Sequence, residues 1–222
     1  MTTAALSADR LYRFFRNGED ETLALRGVSL SVEPGEIVAV VGPSGCGKST
    51  LLACLAGLDE PDGGTVRVGG ERVSHRSEAD RARLRSRRIG VLLQSRNLLA
   101  HLDVRSNVRL ARAMSPRALP AVGLDDLLDS VGMMARAHAY PEQLSGGELA
   151  RAGLAVALAN APDVLLADEP TGELDGETER QVLDLLRATA GSGCALLVVT
   201  HSRQVTGIAD RVIALRDGQV AA

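Results

Sequence analysis

The sequence predicts an α/β fold in which a mainly parallel core sheet lies between helices. Continuous apolar runs of four or five residues recur along the chain, at 37–41, 89–93, 164–167, 195–199 and 212–215. Such short runs are typical of strands that are buried on both faces, as they are in parallel sheets. Helical patterns lie between these runs, for example at 49–58 and 177–190. This alternation indicates a layered α/β architecture.

Two further regions complete the predicted fold. The segments 23–32 and 65–73 alternate polar and apolar residues and contain glycine, so we expect an antiparallel β subdomain at one side of the sheet. The stretch from about 95 to 160 has no strand pattern and contains several prolines, so we expect a helical subdomain inserted in the α/β core. The whole chain, 1–222, is expected to form a single domain.

Composition and charge restrict the class of protein. The chain has 222 residues, of which 45% are hydrophobic, and its formal net charge is −3. This apolar content is sufficient for a packed core, and an acidic balance does not favour nucleic acid as a partner. The three cysteines lack metal-binding spacing, and we find neither a secretion signal nor an apolar run long enough to span a bilayer. We therefore expect a soluble, intracellular chain.

A glycine-rich stretch, 42–50, contains Lys48, which is the only lysine among 25 basic residues. It follows a predicted strand and precedes a helical pattern, which is the context of the phosphate-binding pattern GxxxxGK[ST]. A compact ammonium fits such a loop, whereas a planar guanidinium is too bulky. The weaker alternative is a chance glycine-rich turn. We call this stretch the phosphate loop, and its residues are Gly42, Pro43, Ser44, Gly45, Cys46, Gly47, Lys48, Ser49 and Thr50.

An acidic pair follows the apolar run 164–167. Asp168 lies at the end of the predicted strand, where its carboxylate could bind Mg²⁺ together with the hydroxyl of Ser49. Glu169 is placed to orient and deprotonate an attacking water. The alternative is an ordinary acidic turn ended by Pro170, which the phosphate loop makes the weaker interpretation.

Three more motifs occur in a particular order. The stretch LSGGE at 144–148 opens a helical pattern, Gln94 follows the run 89–93, and His201 follows the run 195–199. By itself, SGG indicates only a flexible start of a helix. Together with the phosphate loop and the acidic pair, however, these motifs resemble the ATP-binding cassette (ABC) ATPases, a group of P-loop NTPases, over nearly the whole chain.

The resemblance extends to one subgroup through the segments 166–175 and 94–108. The partners of that subgroup export macrolides, release lipoproteins, resist peptide antibiotics or regulate cell-wall cleavage. The resemblance implies a cytoplasmic subunit that uses ATP and Mg²⁺, pairs with a second copy of itself or a related cassette, and lies on the inner face of the cell membrane. An integral membrane permease would dock near Gln94 to Val108. The alternative is a soluble cassette acting on nucleic acid or ribosomes, but such relatives usually carry two cassettes or long coiled-coil insertions.

The resemblance also implies a role for each matching residue. The catalytic roles fall to Glu169 as the base, His201 as the switch residue at the γ-phosphate, and Gln94 as the sensor of Mg²⁺ and the γ-phosphate. The metal would be held by Ser49, Gln94 and Asp168. Two elements would face the partner cassette: the signature motif, which is Ser145, Gly146 and Gly147, and the loop that contains Asp175.

An upstream aromatic side chain usually stacks on adenine in this family, and Phe15 fits that position best. The alternative for Phe15 is a strand residue that packs inward. The chain also departs from the family pattern after the signature motif, at Glu148, Leu149, Ala150 and Val156, and we expect these changes to affect the rate rather than the activity because Ser-Gly-Gly is intact. Ser202 replaces the usual aspartate after the histidine, and the sequence assigns no effect to that change.

Overall fold

The structure, a computed structural model, describes residues 3–17, 20–94, 97–115, 122–172 and 174–221. Its strands are β1 (Leu6–Asn17), β2 (Asp20–Val32), β3 (Ile37–Val41), β4 (Gly63–Val68), β5 (Glu71–Arg72), β6 (Ile89–Leu92), β7 (Val164–Asp168), β8 (Ala195–Val199), β9 (Arg211–Arg216) and β10 (Gln219–Val220). Its α-helices are α1 (Lys48–Leu55), α2 (Glu78–Arg88), α3 (Val104–Ala113), α4 (Leu124–Ser130), α5 (Gly146–Leu158), α6 (Gly176–Gly191) and α7 (Arg203–Ile208). Two short 3-10 helices span Met134–Arg136 and Pro141–Gln143.

The strands form two sheets. One is a four-stranded antiparallel sheet with the order β2–β1–β4–β5, and the other is a six-stranded sheet with the order β10–β9–β3–β8–β7–β6. Within the larger sheet, β9, β3, β8, β7 and β6 are parallel, and β10 pairs antiparallel with β9. The predicted fold class, with a mainly parallel core sheet and an antiparallel β region, is confirmed.

Four of the parallel strands, β3, β6, β7 and β8, are buried on both faces, because alternate side chains enter two different hydrophobic clusters. On β9 one face is exposed, and Val212 is 48% exposed. On β8, Leu197 and Val199 join a cluster that includes residues of β1, β2, β4 and α1. Leu196 and Val198 join a second cluster, formed with residues of α3 to α7. All four side chains are at most 1% exposed. This two-sided burial explains why the strand is apolar at every position.

Between β6 and β7, the described residues form α3, α4, α5 and the two 3-10 helices. A buried asparagine on α3 organises the segment before that helix. The side-chain oxygen of Asn107 accepts a bond from Leu99 N at 2.7 Å, and its amide nitrogen donates to Leu102 O at 3.0 Å. Helical structure is therefore present where it was expected, while the division of the chain into a core and a helical subdomain stays a prediction.

The topology brings the chemically distinctive segments to one edge of the parallel sheet. The strands β3, β8 and β7 are adjacent and parallel, so their carboxyl ends lie side by side. The phosphate loop follows Val41, β7 ends at Asp168, and His201 lies two residues beyond the end of β8. In open α/β sheets, ligands bind at this edge.

Candidate functional site

A cleft of about 1100 Å³ lies at this edge of the sheet. It brings together six side chains from distant parts of the sequence: Phe15, Lys48, Gln94, Asp168, Glu169 and His201. Other lining residues belong to the phosphate loop, namely Ser44, Gly45, Gly47, Ser49 and Thr50. Gly42, Pro43 and Cys46 are not in the lining, and the Cys46 side chain is buried.

The lysine of the phosphate loop is held in place by backbone oxygens. Lys48 is only 8% exposed, and its Nζ donates to the carbonyl oxygens of Gly42 at 2.8 Å and Pro43 at 3.0 Å. Because both acceptors are neutral, they orient the ammonium without neutralising its charge. The loop therefore presents a fixed positive charge that suits phosphate oxygens.

The start of α1 adds unpaired backbone donors to the same place. Gly47 precedes the helix with φ of 104°, and no side chain caps this helix end. A Cβ atom at Gly47 would lie 2.5 Å from the carbonyl oxygen of Ala24, so only glycine fits there. The N–H groups of an uncapped helix start, together with the helix dipole, favour an anion.

Two oxygen groups meet beside the phosphate loop. The hydroxyl of Ser49 donates to Oδ2 of Asp168 at 3.4 Å, although the two residues are 119 positions apart. Burial raises the pKa of the Asp168 carboxyl above its usual value, and the Ser49 bond opposes that shift. A hydroxyl and a partly desolvated carboxylate are the ligands that Mg²⁺ accepts alongside phosphate oxygens.

The carboxylate of Glu169 is fixed from two sides. Its Oε2 accepts bonds from the backbone N–H of His201 at 3.1 Å and from Thr200 Oγ1 at 3.3 Å, while the ring Nε2 of His201 lies 3.6 Å from Oε1. Glu169 also has φ of 46°, which is unusual for a residue with a side chain. Strained backbone of this kind occurs preferentially at functional sites. The predicted base and the predicted switch histidine are therefore neighbours.

The aromatic side chain at the other end of the cleft faces solvent. Phe15 is 43% exposed, so the alternative that it packs inward is wrong. The guanidinium carbon of Arg13 lies 4.8 Å from the centre of its ring. Arg13 is itself fixed by Asp59, through two bonds of 2.9 Å, and by Asp62. One ring face is thus supported by an arginine.

The residues predicted to face a partner do not line this cleft. Ser145 caps α5 through a bond from Glu148 N at 3.3 Å, and hydrogen bonds from Ser145, led by its backbone N–H, lower the pKa of Glu148. Asp175 caps α6, and bonds from Thr178 lower the pKa of Asp175. Gly146 lines a separate, smaller cavity that Gln94 also lines. Glu169 and Leu174 line both cavities, so within one chain the signature motif adjoins the cleft without lining it.

The starts of α5 and α6 are in close contact. A Cβ atom at Gly147 would lie 2.1 Å from Cγ2 of Thr178, whose hydroxyl is bonded to Asp175 at 3.0 Å. At Gly146, the nearest atom to such a Cβ is 3.9 Å away, on Leu174. Only the first of these two glycines is therefore required by packing.

We expect Gly147→Ala to lower the free energy of unfolding by about 1–3 kcal/mol, since Thr178 must move to admit the methyl group. Gly146→Ala is the matched control and should be neutral or slightly stabilising, because alanine favours a helix over glycine by up to about 1 kcal/mol. Urea unfolding of both variants measures the difference. Equal stability of the two variants would contradict the packing argument.

Sequence reasoning missed several residues of the cleft. Arg26 and Asp217 line it but belong to no recognisable motif. Thr171 and Glu179 also line it, and they are joined to Ser202 by hydrogen bonds. The replacement of the usual aspartate by Ser202 is the one sequence signal that could have led to this group. Other departures lie in apolar surroundings: Leu149 and Ala150 line the smaller cavity, and Val156 packs against the cluster formed with α3 to α7.

A parallel sheet with a phosphate loop and an acidic pair at its strand ends defines a nucleoside-triphosphate-binding protein. The family model described as ABC transporter matches residues 25–172, which is more than half of the chain. The chain belongs to the ABC transporter family and is an ATP-binding cassette of that family. The predicted family, fold class and ATPase class are thereby confirmed.

Relatives cover almost the whole chain. The macrolide export ATP-binding/permease protein MacB of Azoarcus sp. is 44% identical over 95% of this chain, which spans only about a third (32%) of that relative. The lipoprotein-releasing system ATP-binding protein LolD of Maricaulis maris is 41% identical, over 99% of this chain and 97% of its own. Along the parts of the chain that the structure describes, no helix is long and apolar enough to cross a membrane.

A solved structure has the same fold. The ATP-binding cassette MJ0796, described as dimeric in a post-hydrolysis state bound to ADP and Pi, superposes with a TM-score of 0.89 at 32% identity. The match covers 98% of this chain and 97% of that one. A further dimeric structure of the same cassette also has a TM-score of 0.89.

Proposed function

We propose that this cassette hydrolyses ATP at a boundary shared by two cassettes, and that the resulting motion drives a membrane permease. The observation that carries the proposal is that the cleft of one chain is not lined by the signature motif or by Asp175. The phosphate loop, Asp168, Glu169 and His201 share one cleft, whereas Ser145 and Asp175 lie outside it. Two chains placed head to tail would bring the second set to the cleft of the first, so that each site is completed by its neighbour.

Each residue of the cleft has a place in the reaction. The ammonium of Lys48 and the N–H groups of α1 bind the phosphates, and Phe15 offers its free face to the adenine. A water attacks the γ-phosphorus, its proton passes to the carboxylate of Glu169, and ADP leaves. His201, whose backbone holds that carboxylate at 3.1 Å, contacts the γ-phosphate with its ring. Positioning and charge stabilisation account for most of the catalysis.

The oxygen groups beside the phosphate loop fit Mg²⁺. We propose that Ser49, Asp168 and Gln94 hold it, since Ser49 and Asp168 are already within 3.4 Å of each other and Gln94 lines the same cleft. When bound, the ion neutralises the charge that develops on the phosphates. A cation would also favour the ionised form of Asp168, whose pKa is raised in its absence.

The partner surface is proposed from Gln94 to Val108, within the helical region of about 95–160. This segment begins at the cleft, because Gln94 lines it, and continues past the exposed side chain of Leu99 to α3. A permease docked on this segment would be displaced by any movement of Gln94.

We place the chain in the cytoplasm, on the inner face of the membrane, with a permease of the kind served by the macrolide export and lipoprotein-release relatives. The pair is formed by a second copy or a related cassette, with no nucleic-acid partner.

A shared site predicts that activity depends on pairing. We expect ATP hydrolysis per chain to rise with chain concentration, and Ser145→Ala to lower it by tenfold or more. Ser77→Ala is the matched control, because Ser77 caps α2 in the same way but belongs to none of the motifs predicted to contact the nucleotide. Each substitution removes a helix cap and should lower the free energy of unfolding by about 0.5–2 kcal/mol. The two variants should therefore differ only in turnover. Normal turnover by a strictly monomeric chain, or by Ser145→Ala, would overturn the shared site.

A further inference from the structure

A buried carboxylate lines the cleft together with the predicted base and the predicted switch histidine. Glu179, in the first turn of α6, is 8% exposed. Its Oε1 accepts a bond from the hydroxyl of Ser202 at 2.8 Å and another from the hydroxyl of Thr171 at 3.1 Å. Burying a carboxylate is costly unless hydrogen bonds compensate it, so an apolar residue would fill this space more cheaply. Glu179 has no role in the reaction proposed above for the cleft residues.

The two residues that carry these hydroxyl groups, Ser202 and Thr171, are each linked to Glu169. On one side, Ser202 N donates to Thr200 Oγ1 at 2.9 Å, and Thr200 Oγ1 donates to the Glu169 carboxylate at 3.3 Å. On the other side, Thr171 is two residues after Glu169, and Gly172 N donates to Glu169 O at 3.2 Å. These bonds form a closed ring together with the backbone of Ser202 and of Thr171–Gly172. Thr171 and Thr200 are at most 4% exposed, so these two members of the ring are shielded from water.

Glu179 also links this ring to α6, the helix capped by Asp175, which is predicted to face the partner cassette. Glu179 N donates to Asp175 O at 2.8 Å, within the first turn of α6. A negative charge in the first turn is favoured by the helix dipole. The loop of Glu169, the loop of His201 and the helix capped by Asp175 therefore meet at one side chain.

We propose that Glu179 is a positioning residue for ATP hydrolysis. Its carboxylate holds the loops of Glu169 and His201 in a fixed position relative to α6. The inference rests on the proposed function, because it needs Glu169 to be the base. In this role Glu179 acts through Glu169, and not by contact with the attacking water. It acts by fixing the direction of the Glu169 carboxylate, and a displacement of about 1 Å in such a group can cost a hundredfold in rate.

The exchange of two carboxylate positions provides a sharp test. Glu179→Ala should lower kcat by tenfold or more while KM and the Kd for ATP change by less than threefold. Ser202→Asp should also lower kcat, because it places a second carboxylate against that of Glu179. The double variant Glu179→Ala/Ser202→Asp should recover most of the lost rate, since the new carboxylate lies where the old one was. Aspartate also keeps the cap of α7 that Ser202 provides.

Controls separate positioning from folding. Asp184→Ala removes an exposed carboxylate of the same helix and should leave kcat unchanged, and the Tm of every variant is measured alongside its kinetics. Recovery in the double variant supports the proposal, because two changes that merely weaken the fold would add instead of cancelling. Normal kcat in folded Glu179→Ala, or a double variant no faster than either single one, overturns it. An inactive wild-type chain would instead overturn the proposed function.

Discussion

Glu169→Gln is expected to abolish ATP turnover while leaving ATP binding intact. A glutamine cannot take the proton of the attacking water, and a general base contributes about a hundredfold to ten-thousandfold. Its side-chain oxygen can still accept the backbone bond from His201, now 3.1 Å long, so the geometry of the cleft should survive. Steady-state phosphate release measures turnover, and equilibrium binding of ATP measures affinity.

The same variant should accumulate as an ATP-bound dimer, because the nucleotide that joins the two cassettes is no longer cleaved. Gel filtration with and without ATP detects the change in size. Glu33→Gln, an identical substitution at an exposed position between β2 and β3, serves as the control and should behave as wild type. Hydrolysis at the wild-type rate by Glu169→Gln would remove Glu169 from its proposed role.

The second large effect is expected at Lys48. Lys48→Ala removes the only charged side chain of the phosphate loop, and a hydrogen bond to a charged group is worth about 1.5–3 kcal/mol, which is roughly tenfold to a hundredfold in affinity. Lys48→Arg should weaken ATP binding as well, because the side chain is 8% exposed and its ammonium fits between the carbonyl oxygens of Gly42 and Pro43. Calorimetric titration with ATP gives both affinities.

An exchange of the same two residue types at another position tests whether geometry is the reason. Arg83→Lys changes a side chain that is 62% exposed on α2, and it should not alter ATP affinity. If Lys48→Arg bound ATP as tightly as wild type, the loop would tolerate a guanidinium. The preference for lysine would then need an explanation other than space.

The parallel sheet could be predicted from sequence because most of its strands are buried on both faces and are apolar at nearly every position. β9 has one exposed face but keeps a central apolar run, so β3, β6, β7, β8 and β9 all appear among the predicted runs. Short pairings could not be predicted. β5 and β10 have two residues each, and their pairing with β4 and β9 depends on turns rather than on any apolar pattern. The segment 65–73 accordingly forms two strands instead of one.

The candidate site likewise contains residues that belong to local sequence motifs and residues that only the fold brings together. The phosphate loop and the acidic pair are each a continuous stretch of sequence, so their chemistry could be predicted from the sequence. The ring around Glu179 is not such a stretch, because its partners Thr171 and Ser202 are 8 and 23 positions away and neither forms a motif with it. The exposure of Phe15 likewise depends on how β1 pairs with β2, where register shifts interrupt the alternation of faces.

The contact between Gly147 and Thr178 has a mechanical consequence. It packs the start of α5 closely against the start of α6, where Thr178 is bonded to Asp175 at 3.0 Å. We therefore expect the two segments to move together. In an assembly of two cassettes, such a coupled shift would reach both nucleotides, so cooperativity between them would arise from steric linkage within each protomer.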